Sequence, residues 1–307
     1  MKSQLQDASR QLRTGYTTGA CAAAAARGAA QMLVQQGKAG DVTITLPAGV
    51  FAKFKLYGQE FNEMSASCYV IKNAGDDPDV TNGAEVHAAV WLNSSQTPFA
   101  KRANNIIISG GVGIGRVTKP GLAVVPGEWA INPVPRRMIE EAVLPVFSSL
   151  TLSASTLTIN IVISIPDGEE RAKKTLNQRL GIIGGLSILG TTGIVHPVSA
   201  KAWTDTIDAA IDVAHACGCG SVVLSTGRTS EMAAMKHLPT FPEETFIMIG
   251  DHFAYALESC EKRGFGQIMI ACQFAKLLKM ACGHKNTHAA ASEIELVSLL
   301  ELSLIHI

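Results

Sequence analysis

Three short runs in the second half of the chain constrain its fold most: Ser221–Ser225, Phe246–Gly250 and Gln267–Ala271. Each is apolar on successive residues rather than on alternate ones, and each leads into a segment with helical patterning. A strand that is apolar on both faces has to be covered on both. The usual solution is a parallel sheet whose crossover helices lie on its two sides. This predicts a small doubly wound α/β domain over residues 199–307, opened by an amphipathic helix at Ser199–Ala216 with Trp203, Ile207, Ile211 and Ala214 on one stripe.

The first half has a different texture. Thr17 or Thr18 can cap a helix that runs through the alanine-rich segment Ala20–Gln36 and ends at Gly37. Val42, Ile44 and Leu46 alternate with polar residues, and Pro47-Ala48-Gly49 turns into Phe51–Leu56. Ser65–Lys72 and Glu85–Leu92 read as a strand pair, Asn105–Ser109 as a further strand, and Asn132–Val146 as a helix entered through two prolines. Leu157, Ile159, Ile161, Ile163 and Ile165 alternate without a break, which predicts a strand with one buried and one wet face. A short helix is expected at Glu169–Gln178. Residues 1–198 therefore read as an α+β domain with a mixed sheet, and the whole chain as α/β.

With 26 basic and 26 acidic residues the formal net charge is zero. A dedicated nucleic-acid binder would carry a strongly basic face, so that class is disfavoured. No run has the apolar length of a membrane span, and the alanine-rich segment lacks the layout of a signal peptide. Seven cysteines without framework spacing fit reduced thiols. The expectation is a cytoplasmic protein with neither nucleic acid nor membrane as partner. The apolar end Ser303–Ile307 carries no cap or polar tail, which reads as an interrupted element or a foreign tail.

Three polar, glycine-rich runs interrupt the first half: Asn73–Gly83, Gly110–Gly121 and Gly184–Pro197. A run of glycine marks positive φ or close approach of backbone to something, and loops are where binding groups gather. Gly110–Gly115 fails as a dinucleotide fingerprint, because with Gly111 and Gly113 in its first two places the third falls on Arg116. It lacks the lysine and hydroxyl of a P-loop. It reads either as a simple hairpin or as a ligand-facing loop with Arg116 and Lys119 as anion partners. Asp76, Asp77 and Asp79 lack calcium-loop spacing; they are solvated turn residues, or they bind a ribose diol, favour a cationic ligand or accept a proton. Arg136 and Arg137 sit in a helical first turn, where the dipole disfavours cations unless an anion rests there. Ser225–Glu231 follows a buried strand, at the end where open α/β sheets bind ligands. His284 and His288 have the spacing of a metal pair, but no third ligand accompanies them.

Read together, these segments resemble one family. Leu12-Arg13-Thr14-Gly15-Tyr16-Thr17-Thr18-Gly19, Val70–Ala84, Gly113–Leu122, Ala130–Met138, Gly185–Gly193 and Asn286-Thr287-His288 are similar, in the same order, to the CbiD family. These are the cobalt-precorrin-5B C1-methyltransferases of anaerobic cobalamin biosynthesis. The similarity extends from Leu12 to about Glu301. It implies methyl transfer from S-adenosylmethionine to C1 of a cobalt-containing, ring-contracted tetrapyrrole, with cobalt brought by the substrate and no metal site in the protein. A polycarboxylate macrocycle needs several cationic partners, for which Arg116, Lys119, Arg136, Arg137, Lys276 and Lys279, with Asn286 and His288, are the candidates. Thr17, Thr18, Asp76, Asp79, Gly227 and Thr229 are the candidates on the side of the methyl donor. If a proton leaves the ring, Asp77 or His196 is the candidate base. A homo-oligomer and transient contact with other enzymes of the pathway stay open. So do two other readings: a phosphate- or nucleotide-dependent enzyme using Gly110–Gly115, and a non-catalytic corrinoid carrier.

Overall fold

The computed structural model describes residues 12–95, 105–148, 156–289 and 291; the apolar end Ser303–Ile307 lies outside them. The chain divides into two compact units, residues 1–118 with 126–198 and residues 119–125 with 199–307. In the first unit the order is β1 (Gly15–Tyr16), α1 (Thr18–Gln35), β2 (Asp41–Thr45), β3 (Phe51–Lys55), β4 (Tyr57–Phe61), β5 (Ser65–Ile71), β6 (Glu85–Ser95), β7 (Asn105–Gly110), β8 (Arg116–Val117), α2 (Pro133–Phe147), β9 (Thr156–Ser164), α3 (Gly168–Ala172), β10 (Ile182–Ile183) and β11 (Ile194–Val195). The second has α4 (Ala200–Ala216), β12 (Ser221–Ser225), α5 (Arg228–His237), β13 (Phe246–Met248), α6 (Phe253–Lys262), β14 (Gln267–Ala271) and α7 (Phe274–Ala281).

The first unit is built on a five-stranded sheet of order β4-β5-β6-β9-β7. All its pairs are antiparallel except β7 with β9, so the sheet is mixed. Ile159, Ile161, Ile163 and Ile165 are fully buried, as their alternation requires, and they join Ala66, Cys68 and Val70 of β5 and Val86, Ala88 and Val90 of β6 in one core. Helix α1 belongs to that core on every side: Ala20 to Ala26, Ala29 and Ala30 are all buried. A helix enclosed all round is apolar all round, and alanine lets sheet and neighbouring helix approach closely. Thr17 caps α1 by accepting the Ala20 N–H at 3.2 Å. The helix ends one residue before Gly37, on Gln36 in the left-handed conformation.

Two expectations are corrected in length. The helix placed at 169–178 is the single turn and a half of α3, and the run 246–250 is a strand only to Met248.

The second unit contains a parallel sheet of order β13-β12-β14. Val222, Leu224, Ile247 and Ile249 pack with Ile207, Ile211 and Ala214 of α4 and Ala256 and Cys260 of α6. Trp203 is not on that buried stripe; it is 47% exposed near the start of α4. Strand β14 is not covered on both faces either, since Ile270 is 40% exposed among the described residues. Arg263 ties α6 to α4, with Nε on Asp212 at 2.6 Å and Nη2 on Asp208 at 3.3 Å. No helix among the described residues is long and apolar enough to cross a membrane.

Candidate functional site

In the first unit the first and third glycine-rich loops are stitched together by the segment that enters α1. Tyr16 N–H donates to the Asn73 carbonyl at 2.8 Å, Thr17 N–H to Gly193 at 3.0 Å and Gly19 N–H to Leu189 at 3.0 Å. The Thr18 hydroxyl donates to the Leu189 carbonyl and accepts the Leu189 N–H, at 3.2 and 3.1 Å. Thr17 and Thr18 are thus both buried and both committed to backbone. The second loop joins the third through Gly113, whose φ is +72°. A Cβ there would fall on the Ile165 carbonyl oxygen, and Gly168 and Gly185 crowd the same backbone. The close approach that the glycines permit here is of backbone to backbone.

Each aspartate of the first loop holds a different segment. Asp76 accepts the Arg13 N–H at 2.8 Å and the Arg13 guanidinium at 3.0 and 2.7 Å. Gly75, at φ +69°, lets the loop press on the Arg13 carbonyl. Asp77 accepts the Val198 N–H at 3.0 Å, which brings the exposed His196 strand end beside the loop. Asp79 accepts from Lys72 at 2.5 Å and from the Thr81 N–H and hydroxyl at 2.7 and 2.6 Å. Burial alone would raise the Asp79 carboxyl; the Lys72 ammonium and the hydrogen bonds from Lys72 and Thr81 outweigh it and hold the group below its ordinary value. Lys72 is itself only 1% exposed. Sequence reasoning missed it, although the signal was there: Ala66, Cys68 and Val70 face the core, so the same period of two carries position 72 inward.

The predicted cations divide by role. Arg136 donates to the Ile131, Ile108 and Trp129 carbonyls at 3.0, 3.2 and 3.5 Å. Arg137, its neighbour, is exposed. Arg116 lies over the Trp129 ring at 4.0 Å and donates to the Gly127 carbonyl at 2.6 Å, with its residue exposed. Lys119 belongs to the second unit, where it pairs with Glu244 at 2.8 Å.

The second unit gathers its polar groups at the carboxyl edge of the parallel sheet. Lys276 Nζ donates to the Thr226 carbonyl just after β12 at 3.3 Å and pairs with Asp251, just past β13, at 2.9 Å. The Thr287 hydroxyl donates to the same Asp251 oxygen at 2.7 Å, and Lys279, buried, donates to the Thr287 carbonyl at 3.2 Å. Asn286 accepts the His288 N–H at 2.9 Å and so shapes the turn that carries both. Gly227 caps α5 with extended backbone, and Thr229 stands exposed in its first turn. Asp251 was not among the sequence candidates, though it follows the apolar run directly. Among the described residues no group of three or more His, Cys, Asp or Glu is placed to hold a metal.

Comparison with known proteins bears on both units. A model of the CbiD family matches residues 5–197. The protein of Pelobacter propionicus named cobalt-precorrin-5B C(1)-methyltransferase is 57% identical, over 96% of this chain and 79% of its own length. The proteins of the same name from Geobacter sulfurreducens and Priestia megaterium are 58% and 46% identical, over 95% and 93% of this chain and 80% and 75% of theirs. The 1.9 Å crystal structure of the cobalamin biosynthesis protein cbiD from Archaeoglobus fulgidus is 31% identical, covering 89% of this chain and 81% of that one, with a TM-score of 0.47.

Proposed function

Since this chain belongs to the CbiD family, we propose that it methylates C1 of cobalt-precorrin-5B with S-adenosylmethionine, giving cobalt-precorrin-6A. The observation that carries this reading is the identity of 57% with a relative of that name over 96% of the chain, which spans both units. The methyl group passes from sulfonium to carbon, and S-adenosylhomocysteine leaves. Such an in-line displacement needs no covalent enzyme intermediate. Positioning is the main lever, worth about 7–11 kcal/mol in favourable cases.

The residues fit a polyanionic substrate and a cationic donor. Exposed Arg137 and Arg116 are the guanidiniums proposed to meet the acetate and propionate carboxylates. Arg136 and Lys119, spent on carbonyls and on Glu244, act by holding their surroundings. Cobalt comes as part of the substrate. The protein works in the cytoplasm on this reading.

The test is anaerobic incubation of the purified chain with cobalt-precorrin-5B and methyl-labelled S-adenosylmethionine, read by product mass. Transfer of one labelled methyl to the macrocycle is expected. Folded protein that binds the tetrapyrrole but transfers no label would make this chain a corrinoid carrier instead.

A further inference from the structure

We infer that the carboxyl edge of the three-stranded parallel sheet is a nucleoside site and that Asp251 takes the ribose diol there, an inference that rests on the S-adenosylmethionine reading. Strand order comes first. From β12 the chain passes to β13 on one side and then returns to β14 on the other, so the winding reverses beside β12. In open α/β sheets ligands lie outside the carboxyl ends of the strands at such a reversal. The turn leaving β12 is Ser225-Thr226-Gly227, and a Cβ on Gly227 would meet nothing within 4 Å, so the space over the turn is open.

The acidic residue comes from the adjacent strand. Nucleoside-binding sheets of this kind place a carboxylate past the neighbouring strand, where it accepts from the ribose hydroxyls. Here β13 ends at Met248 and the chain delivers Asp251 three residues on. Lys276 and Thr287 both donate to Oδ1, while Oδ2 has no hydrogen-bond partner among the described residues and the side chain is 27% exposed. One oxygen is held and the other is presented. Burial would raise this carboxyl, but the hydrogen bonds from Lys276 and Thr287 and the charges of Lys276 and His288 keep it below its ordinary value, so it is an ionised acceptor at neutral pH. At the same edge Ser225 is fully buried and its hydroxyl has no hydrogen-bond partner among the described residues, an orphan that a bound polar edge would satisfy.

The edge carries carboxylates at Asp251 and at Glu231, 2% exposed in the first turn of α5, and cations at Lys276, paired with Asp251, and at exposed Arg228. The nucleoside is taken as the methyl donor's on the S-adenosylmethionine reading.

Calorimetric titration tests this with S-adenosylhomocysteine and its 2′-deoxy counterpart. Native protein should bind the parent and lose about tenfold or more with the 2′-deoxy compound, as expected for a hydrogen bond to a charged group. Asp251→Asn should lose a similar factor for the parent and nothing further for the deoxy compound. Asp205→Asn, which alters only an exposed pair with Lys201 on α4, should bind like native protein. Should Asp251→Asn fail to fold, hydrogen exchange on native protein reads the same site: the parent compound should slow exchange at 225–231 and 249–253. Equal binding by native and Asp251→Asn protein, or protection confined to the first unit, would overturn the subsite and leave the methyl-donor reading standing. No binding of S-adenosylhomocysteine to folded native protein would overturn both.

Discussion

Asp77 accepts the backbone N–H of Val198 at 3.0 Å, across 121 residues, and Val198 holds φ +54°. A β-branched residue in the left-handed region is strained by about 1–2 kcal/mol, and the Asp77 bond is one of the contacts that keep it there. Val198→Gly relieves the strain at the cost of a looser unfolded chain. The expected result is a net gain of about 0.5–1 kcal/mol in urea unfolding; a loss would mean the valine side chain contributes more than its backbone costs. Asp77→Asn keeps an acceptor oxygen and should leave stability near native, so its turnover reads chemistry alone. Full activity in Asp77→Asn and in His196→Ala would remove both residues as the base.

Buried Lys72 pairs with half-buried Asp79 at 2.5 Å. Removing one partner leaves the other charge uncompensated, which costs about 3–5 kcal/mol. Lys72→Met and Asp79→Asn should therefore each destabilise strongly, and the double variant should cost much less than their sum. The pair also sets a pH dependence. Asp79 has its carboxyl lowered on folding, so the unfolded chain binds its proton more readily and stability falls as pH drops below about 4. Acid unfolding of Asp79→Asn should lack that part of the slope. An unchanged slope would assign the acid sensitivity to other carboxylates.

Gly113 is a backbone contact rather than an open hinge. With φ at +72° and the Ile165 carbonyl where a Cβ would lie, alanine there must push the second loop away from the 165–168 turn. Gly113→Ala should destabilise by more than 2 kcal/mol or so, since rigid backbone rather than a movable side chain stands in the way. Gly184→Ala has open space around it and only its positive φ against it, so about 1 kcal/mol is expected. Equal midpoints for the two in denaturant would show that the second loop and the 165–168 turn part easily.

Period was the legible part of the fold. Alternation at Ile159–Ile165 foretold a one-sided strand, and runs of apolar residues foretold the parallel sheet, because side-chain direction follows local geometry. Trp203 and Ile270 misled for the same reason: pattern says which face a residue lies on, whereas coverage depends on what the rest of the chain brings there. In the candidate site, residue types were visible and their occupations were not. Whether Asp76 meets Arg13 or solvent depends on a contact 63 positions away, which no local spacing encodes. Lys72 could have been read from its register and Asp251 from its place after a buried strand, had the strand order been known.

Arg136 and Arg137 show how adjacent, chemically identical residues separate into different roles. In the first turn of α2 the Arg136 guanidinium turns onto three carbonyls, of Ile131, Ile108 and Trp129, which fastens β7 and the 129–131 segment to the helix start. Arg137, one residue on, makes none of these three bonds and is exposed. Arg136→Ala leaves carbonyls without their charged donor and should lower stability by about 1.5–3 kcal/mol. Arg137→Ala removes only a solvated cation and should leave the unfolding midpoint within about 0.5 kcal/mol of native. If Arg137 meets a substrate carboxylate, its loss should raise KM for the tetrapyrrole several-fold, by less at high salt because screening weakens the native contact as well. Steady-state kinetics with both variants decide this. A KM change in Arg137→Ala that matches its change for S-adenosylmethionine would point to a general disturbance, and an unchanged KM would take Arg137 out of the substrate site.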